Sequence, residues 1–307
     1  MFPYFPFEDE SFVMSMGVRA LGAGDVIEID PDHYHAEIAL KQRLLTEDAA
    51  YYFQALPRTE SAQWEVLELL LPQLAARYPQ WFTLKVEQGR WHWHNRLLNE
   101  YTEFRPGTLA DLPLLPLHWL GRQLQEDLLV LDGNMETGFP LVAGLLCFPN
   151  SWCLQEKLGQ SFLAIHGPVP SFERQLGRSS LLLLQRLKAG RPVWRLNWAF
   201  RSTPRLDITP RAADEVQRSY TNLSEDTIGE QCWLRVERQT LTRLPEMGAI
   251  LFTVHTYQTS VAEIVVDPVA ARKMERVLTT TPPEMRAYKG ISPFIESLLG
   301  YLQRRCA

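Results

Sequence analysis

The stretch from Cys232 to Tyr257 constrains the fold more than any other part of the chain. Two runs rich in β-branched and aromatic residues, CWLRVERQTL at 232–241 and AILFTVHTY at 249–257, are separated only by TRLPEMG. So short a loop joins antiparallel neighbours, and the two runs are expected to pair as strands. Side chains alternate across a strand. Arg235, Glu237 and Gln239 therefore share one face, with Leu234, Val236 and the stem of Arg238 on the other. On the second run His255 and Tyr257 lie opposite Ile250, Phe252 and Val254. A charged row in a central strand is either a solvated face or a buried polar network; the alternation is compatible with both.

Other strand-like runs precede this pair: LLVLDGN from Leu128, GFPLVAGLLCFP from Gly138 and VWRLNWAF at 193–200. FTLKVEQGRWHWH at 82–94 breaks at Gln88-Gly89 and reads as a hairpin. Helical spacing appears toward both ends. AEIALKQRLL at 36–45 follows Asp30 and Asp32, two residues suited to capping. Trp64, Leu67, Leu71, Leu74 and Tyr78 mark a helix over 60–78, with Pro72 as a kink. Further helices are expected near 113–126, 175–188, 267–279 and 291–304. Helices outside and strands in the middle predict an α+β fold around an antiparallel sheet. No repeat or low-complexity linker divides the 307 residues, so a single domain is expected.

Several function classes are excluded. The net charge is −5 and no basic tract appears, so nucleic acid is not an expected partner. No apolar run approaches the roughly 18 residues of a membrane span. The start, MFPYFPFEDESF, lacks the basic beginning of a secretory signal. Cys147, Cys153, Cys232 and Cys306 lack CxxC spacing, which argues against a zinc ribbon or attached c-type haem and for a reducing cytoplasm. There is no phosphate loop, HExxH or GxSxG, and Ile27 stands where Gly22-Ala23-Gly24 would need a third glycine. If the chain carries out redox chemistry, its reducing equivalents would have to come from another protein.

Three histidine settings remain. His92 and His94 point to one face of their strand, either as a metal pair or as a solvent-facing edge beside Trp91 and Trp93. His33 and His35 flank Tyr34 at a helix start, where capping or surface roles fit. His166 ends the strand-like run SFLAI and is followed by Gly167-Pro168-Val169-Pro170. Prolines stiffen the backbone and glycine admits a large group. A rigid neutral imidazole there suits haem iron, and a structural histidine equally.

An ordered series of motifs resembles one family. It runs from Glu126-Asp127 through CFPNSW at 147–152, EKLG at 156–159, IHGPVP at 165–170 and RLNW at 195–198 to RVERQTLTRLP at 235–245 and Tyr288-Lys289-Gly290. This is similar to the alpha subunit of the haem-dependent oxidative N-demethylases over roughly residues 25–300. The resemblance implies a PAS-like antiparallel sheet, roughly 126–260, with helical additions at both ends and a bound haem b. It implies an oxygenase that uses O₂ to remove a methyl group from a small secondary amine as formaldehyde, with electrons from NADPH through separate flavin and iron–sulfur partners. Carried onto this chain, His166 is the axial ligand, and Lys157, Arg195 and Arg238 meet the propionates. Glu237 and Tyr257 stand near the amine, and Trp152 and Trp198 wall the pocket. The rival expectations are a non-catalytic PAS-like haem or small-ligand sensor and, more remotely, a metal-binding protein using His92 and His94.

Overall fold

The computed structural model describes residues 2–306, so Met1 and Ala307, the ends of the expected domain, lie outside the described residues. The fold is α+β, built on a large antiparallel sheet and a smaller one. The strands are β1 (Arg19–Ala20), β2 (Phe53–Ala55), β3 (Phe82–Glu87), β4 (Arg90–Asn95), β5 (Glu100–Phe104), β6 (Asp127–Leu131), β7 (Leu141–Leu145), β8 (Val193–Arg201), β9 (Trp233–Arg243) and β10 (Ile250–Ser260). The large sheet has seven strands in the order β1-β8-β9-β10-β6-β7-β2, and β3-β4-β5 form the small one.

The expected central pair is there. Strands β9 and β10 are 11 residues each and pair without interruption from Trp233 opposite Ser260 to Arg243 opposite Ile250. Their connecting loop is held from outside: both oxygens of buried Glu65 accept backbone N–H groups, from Glu246 at 2.6 Å and Met247 at 2.9 Å. Gly248 sits in the loop at φ +67°, and Gly133 packs so near that a Cβ on it would lie 1.9 Å from the Gly248 carbonyl oxygen. Only glycine fits that approach.

Helix α1 (Tyr34–Tyr52) is longer than the expected 36–45 and kinks at Asp48. Asp30, not Asp32, shapes its entry: the Asp30 carbonyl accepts from the Tyr34 N–H, and its carboxylate from the Asp32 N–H. Helix α2 (Glu60–Arg77) matches the expected 60–78 and carries Pro72 in its interior. Pro72 removes one backbone donor. Helicity persists because Leu67, Leu70, Leu71 and Leu74 are almost wholly buried against the small sheet and β6. Each contributes about 1.5–3 kcal/mol of apolar burial.

Three expectations change. The helix expected over 113–126 is only α3 (Pro116–Gly121). Beyond it the Gln123 carbonyl accepts from the Tyr34 hydroxyl, and the Leu124, Gln125 and Glu126 carbonyls accept from the buried Lys41 ammonium. Those carbonyls are turned to side chains instead of continuing the helix. The run SFLAI is no strand. It forms the short helix Phe162–His166, because the Ser161 hydroxyl caps it by accepting from the Ala164 N–H. The hairpin at 82–94 gains a third strand, β5, which the sequence reading missed.

Register divides the large sheet into two faces. One carries Arg195, Asn197, Arg235, Glu237, Gln239, Leu241 and Val254, continuing into Leu129 and Leu131. It is covered by the helices Leu154–Lys157, Phe162–His166 and Arg178–Arg186, through a cluster that includes Leu154, Phe162, Ile165 and Leu184. We call it the cationic face. The opposite face carries Trp198, Val236, Arg238, His255 and Tyr257, continuing into Leu128 and Val130. It is covered by α2, by the N-terminal segment through Phe7, and by the helices Pro268–Thr280 and Ile295–Cys306. We call it the paired face.

Candidate functional site

On the cationic face the charged row of β9 is a buried polar network, not a solvated face: Arg235 is wholly buried and Glu237 is 7% exposed. The Glu237 Oε2 accepts from the Asn197 amide at 3.1 Å and from the Gln239 amide at 2.9 Å. The Arg235 Nε lies 3.9 Å from its other oxygen. Arg235 is also locked in place by donating to the carbonyls of Leu206, Phe148 and Pro149. Burial pulls its guanidinium down to about 10, with Glu237 as the largest opposing charge.

The charge of the same carboxylate is felt by three more cations, none of them within ion-pair distance of it among the described residues. Arg195 stands diagonally across from it on β8, Arg201 farther along that strand, and Lys289 reaches in from the loop after Pro283–Tyr288. Burial lowers all three, Lys289 to about 7, and Glu237 opposes each shift. Arg201 donates to the carbonyls of Phe200 and Lys289 and to the Asn150 side chain. The Lys289 ammonium donates to the Trp198 carbonyl at 2.7 Å and sits 3.9 Å over the Trp198 ring. Arg195 differs from these. Among the described residues it enters no ion pair and no hydrogen bond, and its buried Nε has no acceptor. Arg195 is half-buried, and burying its Nε without an acceptor is costly.

His166 is half-buried between two rings, 4.3 Å from Phe162 and stacked at 4.5 Å on Phe172. Its Nδ1 lies 2.8 Å from the Phe162 carbonyl oxygen, while its Nε2 has no hydrogen bond among the described residues. Burial first, then the Arg195 and Lys157 cations, push the imidazole down to about 4, so it is neutral near pH 7. Lys157 donates to the Ile165 carbonyl at 3.0 Å, one residue before His166. Trp152 packs into the same apolar cluster. Directly after Phe172 the chain makes a π-helical turn, Glu173–Gly177, an irregularity frequent at functional sites.

His166, Lys157, Trp152, Arg195 and Glu237 thus all belong to the cationic face and its cover. Arg238, Tyr257 and Trp198 do not. They lie across the sheet and cannot touch a group bound beside His166. Arg238 donates to the Asp25 and Val26 carbonyls and pairs with Glu28 at 3.4 Å. Tyr257 donates to Glu28 at 2.8 Å and stacks on His255, whose Nδ1 lies 3.2 Å from Glu126. His92 lies 2.7 Å from the Tyr101 hydroxyl on the small sheet, and no cluster of three His, Cys, Asp or Glu side chains suited to a metal exists among the described residues. The sequence reading missed Arg201 and Lys289 as site residues; the Tyr288-Lys289-Gly290 motif was the available signal. No helix among the described residues is long and apolar enough to cross a membrane.

The family described as haem-dependent oxidative N-demethylase, alpha subunit-like, matches residues 17–299, a span that takes in both sheets and every residue of the cationic face. By that match the chain belongs to the haem-dependent oxidative N-demethylase alpha-subunit-like family.

Proposed function

We propose that the cationic face holds haem b with His166 as its axial ligand, and that the protein is the haem subunit of an oxidative N-demethylase acting on a small secondary amine. The observation that carries this reading is Arg195, a half-buried cation that enters no ion pair or hydrogen bond among the described residues and whose Nε is buried without an acceptor. Haem brings two propionates, and a guanidinium is the side chain best shaped to meet a carboxylate. Lys157 and Arg195 are the propionate contacts of this reading, and Trp152 is a wall.

His166 fits the ligand role on three counts. Burial keeps it neutral, Phe162 and Phe172 fix its ring plane, and the Phe162 carbonyl engages Nδ1 so that Nε2 is left for iron. Such a carbonyl contact fixes the tautomer and orientation of a metal-bound histidine. When bound, haem would supply the O₂ activation and the oxidising equivalents. The chain's own groups bind and orient. Glu237, steadied by Asn197 and Gln239, accepts the ammonium of the amine. Lys289, brought down to about 7 by burial, can keep or release a proton at Nζ where it sits over the Trp198 ring. The sheet with its flanking helices is read as one PAS-like haem domain, cytoplasmic in location. Its electrons come from NADPH through a separate flavin and iron–sulfur partner.

The test is reconstitution with haem, followed by absorption spectra of wild type and His166→Ala. A Soret band in wild type that shifts or vanishes in the variant, with formaldehyde formed from a methylated amine in the presence of a reductase, is the expected result. A band unchanged by the substitution removes His166 from the iron. A band with no amine-induced spectral change and no formaldehyde favours the sensor.

A further inference from the structure

The helix that covers the cationic face is itself positive on its outer side. Arg174, Arg178, Arg186, Lys188 and Arg191 are all exposed, and the stretch from Arg174 to Arg191 contains no carboxylate. None of the five enters an ion pair among the described residues. The whole chain has 31 Lys and Arg against 36 Asp and Glu, so with these five set aside the remainder stands at −10. They are uncompensated cations gathered on one cover of an otherwise acidic protein, where they repel one another.

Their placement is a second, independent observation. In the helix Arg178–Arg186, Arg178, Leu182 and Arg186 are four apart and share one side, and Leu182 is half-exposed. From the same helix Leu184 joins the cluster of Phe162 and Ile165, over the turn that carries His166. Arg243 of β9 pins the end of the helix to the sheet. Its Nη2 donates to the Leu184 carbonyl at 2.7 Å and its Nε to the Leu187 carbonyl at 2.9 Å. The basic surface is thus fixed in place, about one helix diameter, ~10 Å, from the cationic face.

We propose that this surface docks the acidic face of a small electron-carrying protein of the iron–sulfur or flavin class, with Leu182 as an apolar contact amid the cations. The proposal rests on the haem reading above, which puts the electron acceptor beneath this helix. One electron passes from the reduced carrier, which is oxidised, to the haem iron, which is reduced. Complementary charge steers such a partner to the helix and orients it there. Extended polyanions fit less well. The −10 of the remaining chain repels a nucleic acid or an anionic bilayer beyond the footprint of the helix, whereas a compact acidic domain need touch only the helix.

The experiment is calorimetric titration of the full chain, with and without haem, using a plant-type ferredoxin and, separately, a flavodoxin, both acidic carriers. At least one is expected to bind with a Kd on the order of micromolar at low ionic strength, as transient redox pairs do. Binding should vanish near 1 M salt, where the Debye length is about 3 Å. The double variant Arg178→Glu, Arg186→Glu should keep its urea midpoint and bind about tenfold more weakly or worse. Arg218→Glu with Arg272→Glu makes the same change of net charge on exposed side chains elsewhere, and should alter affinity by less than about threefold. In haem-loaded protein the first pair should slow haem reduction by the reduced carrier and leave reduction by dithionite unchanged. No salt-sensitive binding to either carrier overturns the proposal, as does equal weakening in the two double variants. Tighter binding to duplex DNA or to phosphatidylserine vesicles than to the carriers overturns it as well. A Soret band without carrier binding removes the docking surface alone, and carrier binding by a chain that takes up no haem removes the haem reading alone.

Discussion

The two faces of the large sheet are both rich in buried charge, and they treat it in opposite ways. On the paired face the charges are set against one another: Glu126 takes His255 and the Glu28 N–H, and Glu28 takes Tyr257, Tyr4 and Arg238, although Glu126 Oε2 and His255 Nε2 are buried without a hydrogen bond. On the cationic face two buried cations, Arg201 and Arg235, and two half-buried ones, Arg195 and Lys289, are set against the single carboxylate of Glu237, and Arg195 is left unengaged. Burying charge costs several kcal/mol per ion unless it is compensated. One face sets carboxylates against cations in near balance, and the other carries an excess of cations, which is the charge the proposed propionates would meet. The contrast carries the site assignment better than any single residue.

The largest expected effect strikes the paired face. Glu126→Leu strips His255 of its counter-charge and should cost about 3–5 kcal/mol, the usual penalty for breaking a buried pair. Urea unfolding of the haem-free protein measures it. A loss under about 1 kcal/mol would show that this face is less tightly coupled than its hydrogen bonds imply.

Next comes pH, where the two faces should show opposite slopes. His166 is depressed to about 4 in the folded chain. Its contribution is full above the unfolded value near 6.5 and lost as pH falls through 4, amounting to about 3 kcal/mol at most. His255 is raised, with Glu126 supporting its charged form against burial. Its contribution is full below the unfolded value and lost as pH rises through the folded one. Unfolding midpoints followed from pH 4 to 8 in His166→Phe and His255→Phe should flatten the acid and the alkaline limb respectively. The same limb flattening in both would erase the distinction.

The smallest effect is the most diagnostic. Arg238→Met removes a guanidinium engaged with two carbonyls and Glu28, and should cost about 2 kcal/mol. Arg195→Met removes one that is engaged with nothing, and the haem-free protein should change by less than about 1 kcal/mol or gain stability. Haem retention should respond in the reverse order, read by the rate of haem transfer to an acceptor globin.

Some of this was legible beforehand. The β9–β10 pair was, because a period of two over a long run with a short loop admits one arrangement. The faces of Arg235, Glu237 and Gln239 follow from that period alone. Strands β1 and β2 were not, since two or three residues carry no periodicity. The helix at His166 was misread because the four apolar residues Phe162 to Ile165 fit either form, and the Ser161 cap was the signal to weigh. Nor could spacing bring Arg195, Arg201 and Lys289 to one carboxylate. That convergence joins positions almost a hundred residues apart in sequence, from Arg195 to Lys289, and needs the folded sheet.

The strand order has a consequence for how the molecule is made. Both rims of the large sheet, β1 and β2, come from the first 55 residues, while its middle, β9 and β10, is encoded after residue 232. On a ribosome the rims emerge first. Strand β2 meets its partner β7 before half the chain is made, and β1 meets β8 at about two thirds. The two halves cannot be joined until β9 and β10 arrive, after three-quarters of it. Long-range pairing of this kind is slow, and its unpaired edges are exposed in the interval. The nascent N-terminal third must therefore wait, shielded by α1, α2 and the small sheet, whose contacts are local, before the centre arrives to join the two rims.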